Sequence, residues 1–272
     1  MRGLSSCLHK RWRPLLGMLI AAGVLVGWQL LPEGPAGTLF WPLWAATAQV
    51  MFIGALESTR LRRHAWLGQY IKRESPWHRR LGGGVFMAVR AQLASILLAL
   101  ILLVGLRRLD EVDMALLVLV TGLFGVCQRR LNVRFWPHII ETYRPALVRR
   151  FSVLCIAAFL SLGFMLSRLW QPQPYLVDIA WQSAVQMHIP AGAGHTLLGS
   201  LERLASAFEL TGFWLMQNAL ARLELDHGVA VLAWAILLLM QATLAWSYAR
   251  LLAGIAALRH HFSGRGKHDI SR

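Results

Sequence analysis

VFMAVRAQLASILLALILLVGL, residues 85–106, is the stretch of sequence that decides the fold. Arg90 is its one charged residue, and nearly all the other positions are apolar. A helix of about 20 apolar residues crosses the roughly 30 Å hydrocarbon core of a bilayer. The run therefore predicts a transmembrane helix that ends before Arg107-Arg108.

Five further apolar runs lie on either side of this one, and the composition of the whole chain agrees with them. Hydrophobic residues make up 56% of the 272 residues, and only 15% are charged, which is too few to cover a soluble domain. We expect an all-α polytopic integral membrane protein with one membrane domain and six transmembrane helices arranged as three hairpins. The predicted spans are residues 14–31, 38–56, 85–106, 113–128, 151–170 and 229–256. The fourth run is short, so we expect its helix to recruit flanking residues.

The distribution of charge predicts the orientation of the spans. The chain carries 28 Lys plus Arg against 13 Asp plus Glu, and most of the surplus lies next to alternate ends of the apolar runs. Cytoplasmic loops of membrane proteins are enriched in Lys and Arg, so both termini and the basic loops 57–84 and 128–150 are predicted to be cytoplasmic. We expect a bacterial inner-membrane location, with the first span kept as an uncleaved anchor. Charge split among short loops favours contact with anionic lipids over binding of nucleic acid.

Both basic loops contain stretches that suit amphipathic helices. Aromatic and apolar residues fall on one side of each stretch and arginines on the other, and Pro137 suits a first helical position. Such a helix lies in the headgroup layer or docks a partner protein, and the pattern does not separate these two alternatives. The candidate lipid or partner contacts are Arg62, Arg63, Trp66, Lys72, Arg73, Arg129, Arg130 and Trp136.

Residues 171–228 are predicted to form an external helical loop. An amphipathic piece at 175–187 precedes a Pro-Ala-Gly-Ala-Gly break, and a second helical run begins near Thr196, with Gly212 as a point of interruption. The part at 205–223 is apolar enough to suggest a seventh span. Its Glu209, Gln217, Asn218 and Arg222 are costly at mid-bilayer, so we expect helices that rest on the outer surface or cap the bundle.

Few residues indicate specific chemistry. His195, Glu202 and Glu209 recur at seven-residue spacing, but we interpret them as the solvated face of an amphipathic helix. His138 and Glu141 form a single His-x-x-Glu pair, whereas helical di-metal sites need two such elements and further carboxylates. No phosphate-binding loop or nucleophile elbow occurs in the sequence. We therefore expect no catalytic residue, cofactor or metal.

Polar residues inside the predicted spans are the remaining candidates. Arg90 is placed to snorkel towards the inner headgroups, or else to line a water-filled path. The glutamines Gln49, Gln92 and Gln241 are expected to form hydrogen bonds between helices. No Asp or Glu is expected at mid-bilayer, which argues against an ion-coupled transporter.

Three classes of function are consistent with these features. The first is a non-enzymatic subunit or scaffold of a bacterial envelope assembly of the secretion, conjugation or export type, with other envelope proteins or a second copy of the chain as partner. The second is a transporter or channel, and the third is an interfacial lipid-modifying enzyme that uses His138 and Glu141. We favour the first class because the chain lacks catalytic groups and carries amphipathic segments on both predicted faces.

Overall fold

The computed structural model describes residues 2–70, 75, 84–137, 139–140, 143–171, 174–189, 196–223, 228, 231 and 241–268. Within these residues the secondary structure is entirely helical, which confirms the predicted all-α class. In chain order the helices are α1 (Arg2–Leu30), α2 (Glu33–Tyr70), α3 (Val85–Leu106), α4 (Glu111–Phe135), α5 (Arg144–Trp170), α6 (Trp181–His188), α7 (Leu197–Leu223) and α8 (Ala242–His268).

Four of the described helices are long and apolar enough to cross a membrane. They comprise Glu33–Leu61 of α2 together with the whole of α3, α4 and α5, and they coincide with the second to fifth predicted spans. The helix of the short fourth run does recruit flanking residues, because α4 is 25 residues long. Shorter apolar stretches, Leu16–Leu30 and Ala242–Leu258, lie in α1 and α8. Much of the predicted start of the sixth span, at 229–240, lies outside the described residues.

Helix α8 is the centre of the bundle and packs against α1, α2, α3 and α5. Alanine and glycine are frequent along α8, and such small residues allow helix backbones to approach closely in a membrane. The closest approach joins Gly254 to α2, because a Cβ atom on Gly254 would clash with the Val50 carbonyl oxygen. A Cβ atom on Gly54 would in turn lie 2.8 Å from the Gly254 Cα.

Polar side chains on the helices bond across the bundle. The Trp28 and Trp44 indoles donate hydrogen bonds to the carbonyl oxygens of Leu103 and Ile96 on α3, each at 3.0 Å. Deeper inside, the hydroxyl groups of Thr121 on α4 and Tyr248 on α8 lie 2.6 Å apart. These contacts give the polar atoms hydrogen-bond partners that neither lipid nor apolar side chains can provide.

Helix α2 continues well past the second predicted span. It runs for 38 residues without a break as far as Tyr70, so the described half of the first basic loop extends the span. A separate helix lying flat in the headgroup layer would need a bend between span and loop. The sequence has no proline between Pro42 and Pro76, so nothing in that stretch removes a backbone N–H and the helix continues.

The second basic loop differs from the helix expected there. Trp136 and Pro137 form a turn, and the next helix begins only at Arg144. Pro145 explains this start, because it lies in the first turn of α5, where its missing N–H has no partner to lose. In the interior of one helix running from 136 onward, Pro145 would clash with the preceding turn.

Between α5 and α8, the described residues 174–189 and 196–223 form two helices with a small core of their own. Its buried residues come from the loop before α6, from α6 and the residue that follows it, and from α7; they are Leu176, Ala184, Ile189, Leu210 and Phe213. Gly212 does not interrupt α7, which is continuous for 27 residues. A helical glycine costs only about 1 kcal/mol relative to alanine, and burial of its neighbour Phe213 offsets that cost.

Candidate functional site

The two ends of the bundle carry different chemistry. We call the end with the α1–α2 and α3–α4 connections and the α6–α7 segment the loop end. We call the opposite end, with Glu57, residues 127–135 and Arg149, the basic end. The long helices alternate in direction, so charges far apart in the sequence meet at each end.

At the loop end, two adjacent arginines hold α7 against the bundle. Arg107 forms an ion pair with Glu202, and Arg108 forms one with Glu209. Arg168 at the end of α5 lies 3.7 Å from Glu209. The carboxylates of Glu202 and Glu209 therefore do not form the solvated face that the sequence suggested. Their side chains are only 18% and 19% exposed, and each is neutralised by arginine.

Arg107 also caps the C-terminal end of α1. Its guanidinium donates hydrogen bonds to the carbonyl oxygens of Leu31 at 2.9 Å and Trp28 at 3.3 Å. The last carbonyls of a helix have no partner within it, so a basic side chain placed there stabilises the terminus. Arg107 thus joins α1, α3 and α7 at one point.

Two amide side chains of α7 hold the loop that precedes α6. Gln217 accepts a hydrogen bond from the Leu176 N–H at 2.7 Å and donates one to the Pro174 carbonyl at 3.0 Å. Asn218 donates to the Leu176 carbonyl and accepts from the N–H of Asp178, whose backbone is left-handed with φ 61°. The amide oxygen and nitrogen of both side chains therefore form hydrogen bonds with the backbone of this loop, and these bonds offset the cost of burying polar atoms.

A cavity of about 570 Å³ lies between α3, α7 and the start of α8, next to these ion pairs. Its walls are mainly aliphatic and aromatic side chains, among them Leu100, Ile101, Val104, Leu204 and Phe208. Its polar lining comprises Arg108, Arg168, Glu209, Gln241 and Thr243. A concave, mainly apolar space with a few grouped polar residues is the usual form of a small-molecule site.

At the basic end, a buried ion pair joins α2 to α5. Arg149 donates two hydrogen bonds of 2.7 Å to the two carboxylate oxygens of Glu57 and a third, of 3.2 Å, to the Pro145 carbonyl. The Arg149 side chain is 7% exposed and that of Glu57 is 24% exposed. Two-pronged pairs of this kind are among the strongest charged contacts in proteins.

An open basic groove of about 1290 Å³ also lies at the basic end, on the last turns of α4. Arg129, Arg130 and Arg134 line it together with Val133, Phe135 and Ile139. The adjacent Trp136 is exposed, and the Arg144 guanidinium lies over its ring with the Cζ atom 3.9 Å from the ring centroid. The structure thus brings three of the predicted lipid or partner contacts, Arg129, Arg130 and Trp136, to one surface.

The remaining predicted residues are spread over the bundle. Arg90 and Gln49 are exposed on the outer surfaces of α3 and α2, and Gln92 is half-buried. Gln241 lies at the loop end, where its amide donates to Glu209 at 3.3 Å. Arg63 is half-buried near Gly84. Outside the described side chains lie Arg62, Trp66, Lys72, Arg73, His138, Glu141 and His195.

The cavity and its arginines are the part of the site that the sequence did not predict. One feature of the sequence could have indicated it. Arg107 and Arg108 lie on the same predicted side of the membrane as Glu202 and Glu209, which have the opposite charge. Within the part of the chain that the structure describes, no group of three or more His, Cys, Asp or Glu side chains could hold a metal ion.

The fold and the site define an all-helical bundle with four helices long and apolar enough to cross a membrane, and ion pairs join its helices at both ends. No model of a protein family matches the chain, and comparison with characterised proteins and with solved structures gave no significant match.

Proposed function

We propose that this protein is a non-enzymatic subunit or scaffold of an envelope assembly in the bacterial inner membrane. In this proposal six helices cross the membrane as three hairpins, both termini and the basic end face the cytoplasm, and α6 and α7 cap the external end. The observation that carries it is the interior of the bundle, which in the described residues is filled mainly with packed apolar side chains.

The packing of the interior argues for a structural role. Large side chains at the helix contacts are buried completely, including Leu102, Leu103, Phe124, Leu160 and Leu252. The hydroxyl group of Tyr248, also buried there, bonds to Thr121. A conducting path needs polar or charged lining. Arg90, the residue first considered for such a path, lies on the outside of the bundle.

Aromatic residues support the placement of the bundle in a membrane. Trp170, Tyr175 and Trp181 are exposed at the loop end, and Trp136 is exposed at the basic end. Tryptophan and tyrosine concentrate at the two membrane–water interfaces, where their rings contact headgroups. The arginines at the basic end favour the cytoplasmic side by the positive-inside rule.

The basic end offers the surface for an assembly partner. Arg129, Arg130 and Arg134 present three positive charges around an open groove with exposed Val133 beside them. Charge of one sign around apolar side chains suits an acidic segment of a neighbouring protein, and the same surface attracts anionic headgroups.

Co-purification tests the proposed assembly role. The tagged protein would be extracted from its native membrane in mild detergent, and proteins retained at a fixed ratio would be identified by mass spectrometry. We expect a stoichiometric envelope partner that is lost from an Arg129→Ser/Arg130→Ser/Arg134→Ser variant and kept by Arg203→Ser, an exposed α7 control. A partner-free protein that moves solute across proteoliposomes would support a transporter instead.

Labelling of single cysteines tests the topology separately. Cys7, Cys127 and Cys155 would be replaced by serine, and one cysteine would be introduced at exposed Gln186 or exposed Arg134. A membrane-impermeant maleimide should label position 186 on intact spheroplasts, but position 134 only after permeabilisation. Labelling of both positions on intact spheroplasts would contradict the six-span arrangement.

A further inference from the structure

The geometry points to a phospholipid site in the cavity between α3, α7 and the start of α8, with the lipid phosphate held by Arg108 and one acyl chain lying along α3. The inference depends on the protein being in a membrane and not on the proposed assembly role.

The cavity has the polarity of a lipid molecule. Its charged and polar residues are grouped at one end, because Arg108, Arg168 and Gln241 all bond to or lie near Glu209. Its apolar walls lie towards the middle of α3, where Leu100 is about two turns, or roughly 11 Å, before Arg108. A bilayer lipid is arranged in the same way, with its headgroup at the interface and its chains towards the centre.

Arg108 is the residue best placed to hold a phosphate. Its guanidinium has five N–H donors, and within the described residues its one hydrogen-bond acceptor is Glu209. The Arg108 side chain is 28% exposed and lines the cavity, so its other donors are accessible from there. Guanidinium groups bind phosphate oxygens through two parallel hydrogen bonds.

The entrance of the cavity faces the surroundings of the bundle. Leu204 and Phe208 on α7 are 66% and 65% exposed, and Ile101 on α3 is also exposed. These side chains line the cavity and at the same time form the surface of the bundle. An acyl chain can therefore enter sideways from the bilayer, and α7 covers the part of the chain nearest the headgroup.

Native mass spectrometry of the purified full-length protein tests the site. The detergent-solubilised protein would be titrated with palmitoyl-oleoyl-phosphatidylethanolamine, with palmitate and with inorganic phosphate in separate experiments. We expect one tightly retained phospholipid per chain, and binding of palmitate or inorganic phosphate that is at least about tenfold weaker. Equal binding of palmitate or inorganic phosphate, or no retained phospholipid, would overturn the inference.

Variants separate the cavity from general lipid contact. Leu204→Trp and Ile101→Trp place a bulky ring in the cavity, and each should lower phospholipid affinity about tenfold. Leu97→Trp, one turn before Ile101 on α3 and also exposed to the surroundings, is the matched control outside the cavity lining and should bind as the unaltered protein does. Unchanged affinity in Leu204→Trp would contradict the site even if Ile101→Trp fails to fold.

The headgroup contact has its own test. Arg108→Gln removes the guanidinium and should weaken phospholipid binding about tenfold, the equivalent of one hydrogen bond to a charged group. Arg203→Gln, an exposed arginine of α7 outside the cavity lining, should have no effect. Binding of the phospholipid to Arg108→Gln with unchanged affinity would remove Arg108 from the site.

Discussion

Glu57 on α2 and Arg149 on α5, 92 residues apart in the sequence, form a two-pronged ion pair in which both N–O distances are 2.7 Å. The pair lies at the basic end, where Arg149 is nearly buried. A charge in such a place is costly when its partner is removed, so the two helices depend on each other for stability.

Loss of one member of this pair should destabilise the bundle strongly. Glu57→Gln leaves the buried Arg149 guanidinium without its counter-charge and should lower the free energy of unfolding by about 3 kcal/mol. Titration with SDS in mixed micelles, followed by circular dichroism, measures this value. Arg150→Met changes the adjacent exposed arginine and should cost less than about 1 kcal/mol. A loss in Glu57→Gln as small as in Arg150→Met would show that the pair contributes little.

The close crossing of α2 and α8 makes a second prediction. Gly254→Ala forces a Cβ atom against the Val50 carbonyl oxygen and must push the helices apart, which should cost about 1–3 kcal/mol. Gly122→Ala is the matched control, because a Cβ atom there meets nothing within 4 Å. Alanine favours a helix by about 1 kcal/mol over glycine, so the control should be neutral or stabilising in the same SDS titration. Equal stability of the two variants would contradict the close crossing.

The hydroxyl pair inside the bundle makes a third prediction. Thr121 also bonds to the Leu117 carbonyl of its own helix at 2.9 Å, so Tyr248→Phe does not leave its hydroxyl group without a partner. We therefore expect a cost of only about 1 kcal/mol for Tyr248→Phe. A double-mutant cycle with Thr121→Val should give a coupling energy of about 0.6 kcal/mol, the usual size in membrane bundles. Tyr175→Phe, at an exposed position, serves as the control, and zero coupling between Thr121 and Tyr248 would mean that their contact adds no stability.

The amides of α7 make a fourth prediction, about local order. Gln217→Ala removes the acceptor of the Leu176 N–H, so exchange of that amide with deuterium should speed up by about tenfold. Gln186→Ala, an exposed glutamine of α6, should leave exchange at Leu176 unchanged. Measurement by hydrogen–deuterium exchange mass spectrometry is suitable because the effect is confined to residues 174–179. An unchanged rate in Gln217→Ala would show that other contacts hold this loop.

The four long apolar helices were predictable from the sequence because a bilayer imposes one simple requirement on any segment that crosses it. A long apolar run such as 85–106 has to be helical in lipid, and the structure begins and ends α3 at those residues. The loops follow weaker rules. The start of α5 at Arg144 depended on Pro145, and the continuation of α2 from the span to Tyr70 depended on the lack of a proline between Pro42 and Pro76.

The site was less predictable because it depends on which helices become neighbours. Sequence spacing placed Glu202 and Glu209 on one face of a helix, but spacing within a helix carries no information about the opposing surface. Only the packing of α7 against the ends of α3 and α5 brought Arg107, Arg108 and Arg168 to those carboxylates.

By itself, the sequence determined the helical class and the position of the apolar helices, since both follow from the cost of exposing backbone polar groups to lipid. Tertiary structure decided the central position of α8, the pairing of Glu57 with Arg149 and the cavity beside Arg108. Each of these arises from contacts between residues far apart in the chain. The shapes and charges that select such contacts exist only once the helices have packed together.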